Sequence, residues 1–280
     1  MTLRPIAFAL SLLAFAACDR APPAAPAPAS ARPSAPAKPP PDRASRLKDF
    51  LRERYGAQAT ATGEWQGEWQ DPDGGDAPPR KLAWRVCAEQ PVVIGEVWRE
   101  LLAVCGQLDG AGHPEPGVVD FHVLRPAGDG FAPEAELPGQ IFGSNGNPGS
   151  VSVLRLGRDL YAFRIEHGWY GQGYALISQD LVVPGRDGLF AAGSLRSHID
   201  NAGALDCDGD ETADCRAGLF DVDFELQPDD SDRMAERWPL RVNEHGHACG
   251  KDVQAQHTIA ADPKTGRYAF PDALRREGCQ

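Results

Sequence analysis

A strict alternation of apolar and acidic residues at positions 220–226 constrains the fold of this chain more than any other feature. The apolar members are Phe220, Val222, Phe224 and Leu226, and the acidic members between them are Asp221, Asp223 and Glu225. Successive side chains of a β-strand point to opposite faces of the sheet. This segment therefore predicts a strand with one buried face and one acidic, solvent-exposed face.

Shorter alternating runs recur along the chain and are separated by turn residues. The runs lie at 81–87, 119–123 and 161–165, and the turn signals include 157–159 and 262–266. The second of these turns ends in Gly266 and would join Ile259 to a further strand around residues 268–270. The run at 96–107 fits a helix and a strand equally well. Many short strands with frequent turns predict a mainly β fold, an antiparallel sandwich or a barrel-like domain.

One short helix is predicted before these strands. Asp42 is a suitable N-cap, Gly56 is a suitable stop, and the apolar residues between them share one helical face. Those apolar residues are Ala44, Leu47, Phe50, Leu51 and Tyr55. The domain is therefore predicted to begin with a helix that has one apolar side.

The cysteine content indicates a disulfide-bonded domain. Apart from Cys18, the chain contains Cys87, Cys105, Cys207, Cys215, Cys249 and Cys279. An even set of this kind is typical of an oxidising compartment. Neighbouring cysteines close small loops most readily, so of the fifteen pairings that six cysteines allow, we predict 87–105, 207–215 and 249–279.

The first 17 residues have the composition of a secretory signal peptide. Arg4 supplies one positive charge, and a nearly continuous apolar run follows up to Ala17. That run is too short to span a bilayer as a helix. It ends on Cys18, and in this it resembles the signal of bacterial lipoproteins, whose cysteine carries a diacylglycerol thioether and becomes the first residue of the mature chain. The resemblance covers residues 1–19 and implies a lipid anchor at Cys18 in the cell envelope, facing the periplasm.

Two alternatives stay open at this end of the chain. Ordinary signal cleavage after Ala14-Phe15-Ala16 would leave Cys18 as a free thiol, which is prone to oxidation. Asp19 resembles the signal that keeps lipoproteins of enteric bacteria on the inner membrane, a rule that other bacteria do not follow. The sequence therefore leaves the choice between inner and outer membrane undecided.

A tether is predicted between this signal and the domain. Residues 19–43 contain nine prolines and eight alanines but no aromatic and no large aliphatic residue. Such a segment buries too little apolar surface to fold, so we expect a disordered tether over 18–43 and one domain over 44–280. The domain has 23 basic and 38 acidic residues, a net charge of −15. This charge repels nucleic acid and favours cationic partners.

The most specific local motif is the acidic segment 206–215. Its carboxylates at alternate positions resemble a calcium loop, and the candidate metal ligands are Asp206, Asp208, Asp210 and Asp214. Glu211 and Ala217 stand where an EF-hand loop has its glycine and its last acidic ligand. A disulfide between Cys207 and Cys215 would shape the loop without a metal. This segment therefore requires no cofactor, and calcium is its candidate ligand.

Histidines provide two weaker motifs. His245 and His247 lie two residues apart, a spacing that can bind zinc or copper on one strand face, but the spacing shows no third ligand. His198 lies beside Ser197 and near Asp200, which raises a serine-hydrolase hypothesis. The Gly-x-Ser-x-Gly elbow of such enzymes is missing from the sequence around it.

A glycine-rich aromatic motif is the best candidate for a binding surface. Residues 167–174 read His-Gly-Trp-Tyr-Gly-Gln-Gly-Tyr, and Asn-Gly-Asn-Pro-Gly precedes them at 145–149. Rigid rings bury a large area at low entropic cost, which makes Trp169, Tyr170 and Tyr174 candidate contact residues on flexible glycine hinges. The alternative, in which the rings return to the core, is equally open.

The tether, the disulfides and the acidic β domain together resemble the architecture of periplasmic inhibitor lipoproteins. We therefore expect a non-enzymatic binding role, as an inhibitor of a basic cell-wall hydrolase or as immunity against one. The first alternative is an envelope hydrolase whose carboxylates, such as Asp120, Glu166 and Asp200, converge only in the fold. The second alternative is a structural lipoprotein stabilised by calcium.

Overall fold

Two antiparallel β-sheets form the framework of the computed structural model, which describes residues 42–71, 76–205 and 213–279, without the side chains of 213 and 214. The five-stranded sheet contains β1 (Glu64–Trp69), β2 (Arg80–Ile94), β3 (Val97–Leu108), β4 (Gly117–Ala127) and β5 (Gly130–Phe142). The seven-stranded sheet contains β6 (Ser150–Arg155), β7 (Tyr161–Gly171), β8 (Tyr174–Gly185), β9 (Gly188–Asp200), β10 (Phe220–Pro228), β11 (Leu240–Ala248) and β12 (Lys251–Ile259). Strand order follows chain order in both sheets, so each strand pairs with its neighbours in sequence. The predicted mainly β, antiparallel fold is confirmed.

The helices are short. The helix α1 (Arg43–Tyr55) precedes the first strand, and α2 (Ala213–Gly218) lies just before β10. Two 3₁₀ turns lie at Ala202–Ala204 and Asp272–Leu274. In the described part of the chain, no helix has the length and apolar character needed to cross a membrane.

Strands β3 and β4 are buried on both faces, which explains why the segment 96–107 has no clear periodicity. Leu102 and Val104 face α1 in one hydrophobic cluster, and Leu101 and Ala103 face the seven-stranded sheet in another. The second cluster also contains Phe163 from β7. The five-stranded sheet is therefore the middle layer, between the helix and the other sheet.

A third cluster covers the opposite face of the seven-stranded sheet. Strand β10 contributes the four apolar residues of its alternation, all buried, while Asp221 and Glu225 are exposed. The C-terminal segment folds over this face with Tyr268, Phe270 and Leu274. The half-buried strand that the alternation predicted is present, with the predicted residues on its buried face.

Polar contacts fix α1 on the five-stranded sheet near its N-terminus. Arg43 donates to both carboxylate oxygens of Glu100, from Nε at 2.6 Å and from Nη2 at 2.8 Å. Arg46 donates to the carbonyl oxygens of Gly128 and Gly130 at the β4–β5 turn. Burial raises the pKa of Glu100, and the guanidinium of Arg43 opposes that shift. The first turn of the helix is therefore attached to two different strands.

The C-terminal end of α1 lies at the residue that the sequence predicted. The helix stops at Gly56, where φ is +92°, a conformation that glycine adopts without strain. Leu47, Phe50 and Leu51 form the buried side of the helix. The predicted stop is present, and so is the predicted apolar face apart from Ala44, which is exposed in the first turn.

Two of the predicted disulfides are present in the described residues. Cys87–Cys105 joins the adjacent strands β2 and β3, and Cys249–Cys279 ties the C-terminal segment to the end of β11. Cys215 is also disulfide-bonded, and Cys207, its predicted partner, lies outside the described residues.

Two local predictions need correction. Asp42 makes no side-chain cap, because its carboxylate pairs with Arg46 at 2.8 Å instead. Gly266 closes the expected turn by donating to Asp262 O at 2.8 Å. Residues 268–270 nevertheless form no strand and make only a single bridge, between Ala261 and Tyr268. The rings of this segment pack on the third cluster, so it covers the sheet face and does not extend the sheet edge.

Candidate functional site

The two glycine-rich motifs meet at one pocket, although they are about twenty residues apart in sequence. The pocket has a volume of about 330 Å³, and we call it the aromatic pocket. Its lining residues are Ser144, Asn145, Asn147, Gly149, Glu166, His167, Gly168, Tyr170 and Ile177. Ser144 Oγ donates to Gly168 O at 2.9 Å, which links the first motif to the second.

The first motif forms a tight turn that docks on the loop between β3 and β4. Asn145 has a φ of +53° and donates its N–H to His113 O at 3.0 Å, and Gly146 donates to Glu115 O at 2.8 Å. A Cβ at Gly149 would lie 2.2 Å from the carbonyl oxygen of residue 166, so only glycine allows this approach of the turn to β7. One wall of the pocket is therefore fixed by backbone contacts.

The aromatic motif forms the end of β7, a two-residue turn and the start of β8, and its first five residues lie in β7. A Cβ at Gly168 would come within 3.2 Å of the Tyr170 ring, and one at Gly171 would come within 2.7 Å of the Trp169 ring. Each ring therefore lies over a glycine of its own strand. The glycines make room for the rings within an ordered strand and do not act as hinges.

The three predicted contact residues differ in exposure. Tyr170 is 57% exposed and Tyr174 is 36% exposed. Trp169 is half-buried, and its ring lies 6.0 Å from that of His113 between centroids. The two tyrosines are thus available at the surface, while the tryptophan packs beside the β3–β4 loop.

The tip of the β7–β8 hairpin is held in place by the segment that follows β9. Gln172 and Gly173 both have positive φ, as in the turns that two-residue hairpins prefer. A Cβ at Gly173 would lie 2.2 Å from backbone atoms of Gly203. Gly203 belongs to the 3₁₀ turn Ala202–Ala204. Asp200 stabilises that turn by accepting the N–H of Ala202 at 2.7 Å. The exposed rings therefore sit on an ordered hairpin.

Acidic groups surround this end of the sheet. Glu166 is exposed and accepts a hydrogen bond from Gln179 Nε2 at 3.0 Å. Asp221, at the start of the acidic face of β10, pairs in register with Asp200. A cationic group approaching the two exposed tyrosines therefore meets one carboxylate on β7 itself and a second on β10, two strands beyond β8.

The side chains of the predicted calcium ligands lie outside the part of the chain that the structure describes. Asp206, Asp208 and Asp210 lie outside the described residues, as does the side chain of Asp214. Among the residues that the structure does describe, no three histidine, cysteine or acidic side chains are arranged to hold a metal ion.

The histidines of the two weaker motifs have two carboxylate partners, one of which His198 and His245 share. His245 Nε2 lies 3.8 Å from Asp223, whereas His247 Nδ1 lies 3.2 Å from Asp252. Asp223 also pairs with His198 Nδ1 at 2.9 Å. The two histidines at 245 and 247 thus have different carboxylate partners.

The serine-hydrolase hypothesis is not supported by the local geometry. The hydroxyl of Ser197 donates to the Ile177 carbonyl oxygen at 3.4 Å. His198 is the next residue of the same strand, and its Nδ1 is directed to Asp223. His198 therefore has a carboxylate partner but is not the base of a serine nucleophile in this arrangement.

The carboxylates suggested for hydrolysis do not share a site. Glu166 borders the aromatic pocket and Asp200 stabilises a 3₁₀ turn, whereas Asp120 is buried under α1. Asp120 accepts from Tyr55 Oη at 2.9 Å and from the backbone N–H of Gly139 at 2.7 Å. Each carboxylate thus has its own local partners.

Asp120 belongs to a buried polar cluster that no sequence motif indicates. Tyr55 Oη also lies 2.8 Å from His122 Nε2, and His122 Nδ1 lies 2.8 Å from a carboxylate oxygen of Glu136. Burial lowers the pKa of His122, and burial beside Asp120 raises the pKa of Tyr55. Both shifts favour neutral rings, so the cluster works as a hydrogen-bonded anchor for the C-terminal end of α1.

A larger concavity, which was not expected from the sequence, lies at the other end of the seven-stranded sheet. It has a volume of about 1210 Å³ and is formed by the loops 158–160, 185–188, 236–239 and 260–267. Its basic members are Arg158, Arg186, Arg237, Lys264 and Arg267. We call it the basic cavity. These residues come from four distant segments, so no local motif predicts them.

Comparison of this chain with protein-family models, with curated proteins and with solved structures finds no match.

Proposed function

We propose that this chain is a lipid-anchored protein of the cell envelope whose domain binds a cationic protein, as an inhibitor of a cell-wall hydrolase or as immunity against one. The observation that carries the proposal is the pair of exposed tyrosines on an ordered hairpin beside carboxylates. Tyr170 is 57% exposed although its ring is seated on Gly168. A ring that is fixed before binding loses little conformational entropy when a partner covers it.

The charge of the domain supports the same class of partner. A net charge of −15 over residues 44–280 steers basic proteins towards the domain. Glu166 places an exposed carboxylate on β7 of the hairpin, and Asp221 places another two strands beyond β8. Complementary charge mainly speeds association, while buried aromatic anchors mainly slow dissociation. The two contributions can therefore be separated by kinetics.

The test is surface plasmon resonance with a basic lysozyme-type hydrolase as the probe. Association should slow steeply between low and physiological salt, because the screening length shortens to about 8 Å near 0.15 M. Tyr170→Ala should mainly raise the dissociation rate, at a cost of about 2 kcal/mol or more.

Met234→Ala is the matched control for the tyrosine. Met234 is 68% exposed but lies in the β10–β11 connection, at the opposite end of the sheet from the β7–β8 hairpin. Equal effects of the two substitutions, or no retention of the hydrolase at low salt, would contradict the proposal.

The anchor is tested separately. Intact mass of membrane-extracted protein should show a diacylglyceryl adduct on Cys18, and Cys18→Ala should release the protein from the membrane. An unmodified wild type that partitions like the variant would remove the lipid anchor from the proposal and leave the binding role to be judged by the kinetics.

A further inference from the structure

We propose that the basic cavity binds a small anion carrying two or more carboxylate or phosphate groups. This site lies at the opposite end of the seven-stranded sheet from the aromatic pocket, and the inference does not depend on the proposed function. Four observations support it: the size of the cavity, its cations, the ring at its base and the hydrogen bonds that fix its walls.

The size leaves room for a ligand of several hundred daltons. Ligand pockets usually have volumes of about 300 to 1,000 Å³. The basic cavity, at about 1210 Å³, is slightly above that range and open to solvent. The aromatic pocket, at about 330 Å³, is at the lower end.

Most of the cations in the cavity have no carboxylate partner. In the described part of the chain, Arg186 and Lys264 form no ion pair, and Arg267 is placed over the Phe190 ring at 5.6 Å. Arg237 donates from Nη1 to a backbone carbonyl oxygen, that of residue 266, at 3.0 Å. Arg158 differs from these four, because it pairs with the adjacent carboxylate at position 159, at 3.1 Å.

The carboxylates of the cavity are fewer and partly engaged. The acidic lining residues are Asp159, Asp187, Glu236 and Asp262. Asp262 Oδ1 accepts the backbone N–H groups of residues 264 and 265, both at 2.8 Å, so this oxygen is engaged by its own turn. Five basic residues against four acidic ones is a local excess of positive charge in a domain where acidic residues outnumber basic ones by 38 to 23.

Phe190 provides an apolar base for the cations. A Cβ at Gly185 would lie 2.8 Å from this ring, and one at Gly266 would lie 3.3 Å from it. The ring is therefore held between two turns, with Arg267 above it. A guanidinium that lies over a ring keeps its edge N–H groups available for carboxylate or phosphate oxygens.

The loops around the cavity are tied to one another by hydrogen bonds. Trp238 N donates to Leu156 O at 2.7 Å, and Trp238 O accepts from Tyr268 Oη at 2.8 Å. Arg158 N donates to Ala235 O at 2.9 Å. A cavity with walls fixed in this way places its cations before a ligand arrives, which lowers the entropic cost of binding.

The test is isothermal titration calorimetry of the full chain with citrate and with pyrophosphate, in about 0.1 M salt. At this ionic strength the screening length is about 10 Å, so the distant carboxylates of the acidic domain are screened while the cavity cations still act. The charge-removing variant is the double substitution Arg186→Gln with Lys264→Gln. We expect it to weaken binding by about tenfold or more, because each cation contributes a charge-assisted hydrogen bond.

The matched control removes the same charge elsewhere. Arg233→Gln with Arg275→Gln changes two arginines whose side chains are 83% and 63% exposed and which do not line the cavity. Binding that survives in the control and is lost in the cavity variant supports the site. Equal loss in both variants, or no binding of either probe by the wild type up to about 10 mM, would overturn it.

Further binding measurements identify the chemical class of the anion and its source. Preference for citrate assigns carboxylates, and preference for pyrophosphate assigns phosphates. Binding to vesicles of phosphatidylcholine and phosphatidylglycerol in equal parts, reduced by the cavity variant but not by the control, assigns a lipid headgroup as the source of phosphate. Binding of the soluble probes without vesicle binding assigns a free anion.

Discussion

In the five-stranded sheet, the carboxylates of Glu100 and Asp120 are buried beneath α1, whereas in the seven-stranded sheet those of Asp221 and Glu225 are exposed. Arg43 of the helix binds Glu100, and Tyr55 of the helix binds Asp120. These contacts fix α1 on the sheet. The second pair lies on β10, on the side opposite to its four buried apolar residues. The same residue types thus anchor α1 on one sheet and solvate the outer face of β10 on the other, where Glu244 of β11 is also buried. Burial decides which role a carboxylate has.

Of the substitutions that test this difference, the replacement of Arg43 should lower the free energy of unfolding the most. Arg43→Ala leaves the fully buried Glu100 carboxylate without its bidentate partner. We expect the free energy of unfolding to fall by about 3–5 kcal/mol, measured by urea denaturation. Arg233→Ala, at an exposed ion pair, should change it by less than about 1 kcal/mol.

A double substitution distinguishes a lost partner from lost packing. Arg43→Met with Glu100→Leu removes both charges and should recover much of the stability, because no buried charge is left unpaired. A loss below about 1 kcal/mol for Arg43→Ala alone would show that the buried pair does not anchor the helix.

An intermediate effect is expected at His122, and it should depend on pH. Burial lowers the pKa of His122 below its usual value of 6.5, so the folded state binds this proton less readily than the unfolded state does. The stability that neutral His122 provides is therefore complete above pH 6.5 and is lost as pH falls from there towards the lowered pKa. His122→Gln should cost about 1–3 kcal/mol at about pH 7.5 and less at about pH 5, measured by urea denaturation at both values.

His245→Gln is the control for that pH dependence. The His245 side chain is 49% exposed and lies 3.8 Å from Asp223, so its removal should cost little at either pH. A cost for His122→Gln that stays constant, or that grows as the pH falls, would contradict the burial of a neutral imidazole.

The smallest effect is expected in the seven-stranded sheet. His198→Gln removes a cross-strand pair with Asp223, whose side chain is 48% exposed. Solvent screens such a pair, so we expect a change of about 0.5 kcal/mol or less in the free energy of unfolding, by the same urea denaturation. A loss as large as that for Arg43→Ala would mean that both sheets depend on their carboxylates for stability.

The parts of the fold that were predictable from sequence are those governed by local periodicity. The alternation of β10, the apolar side of α1 and the stop at Gly56 follow from side-chain direction and backbone freedom alone. The pairings Cys87–Cys105 and Cys249–Cys279 follow from short loop closure.

The remaining features depend on which distant residues the sheets bring together. Arg43 and Glu100 are 57 residues apart, and Tyr55 and Asp120 are 65 apart, so their contacts require the strand register and the position of the helix. The aromatic pocket was partly predictable, because both of its glycine motifs are visible in the sequence. The basic cavity was not, because four connections contribute its cations one or two at a time.

The consecutive order of the strands has a consequence for how this chain folds. Every strand pairing in the two sheets joins neighbours along the chain, so each can form as a hairpin onto the strand before it. The loop-closure cost of each step is then small, and we expect faster folding than in β-proteins of similar size whose sheets interleave distant strands. A chain that emerges N-terminus first can add strands in the order in which they appear. The disulfide Cys249–Cys279 spans β12, so during synthesis it can close only after the whole of the last strand has emerged.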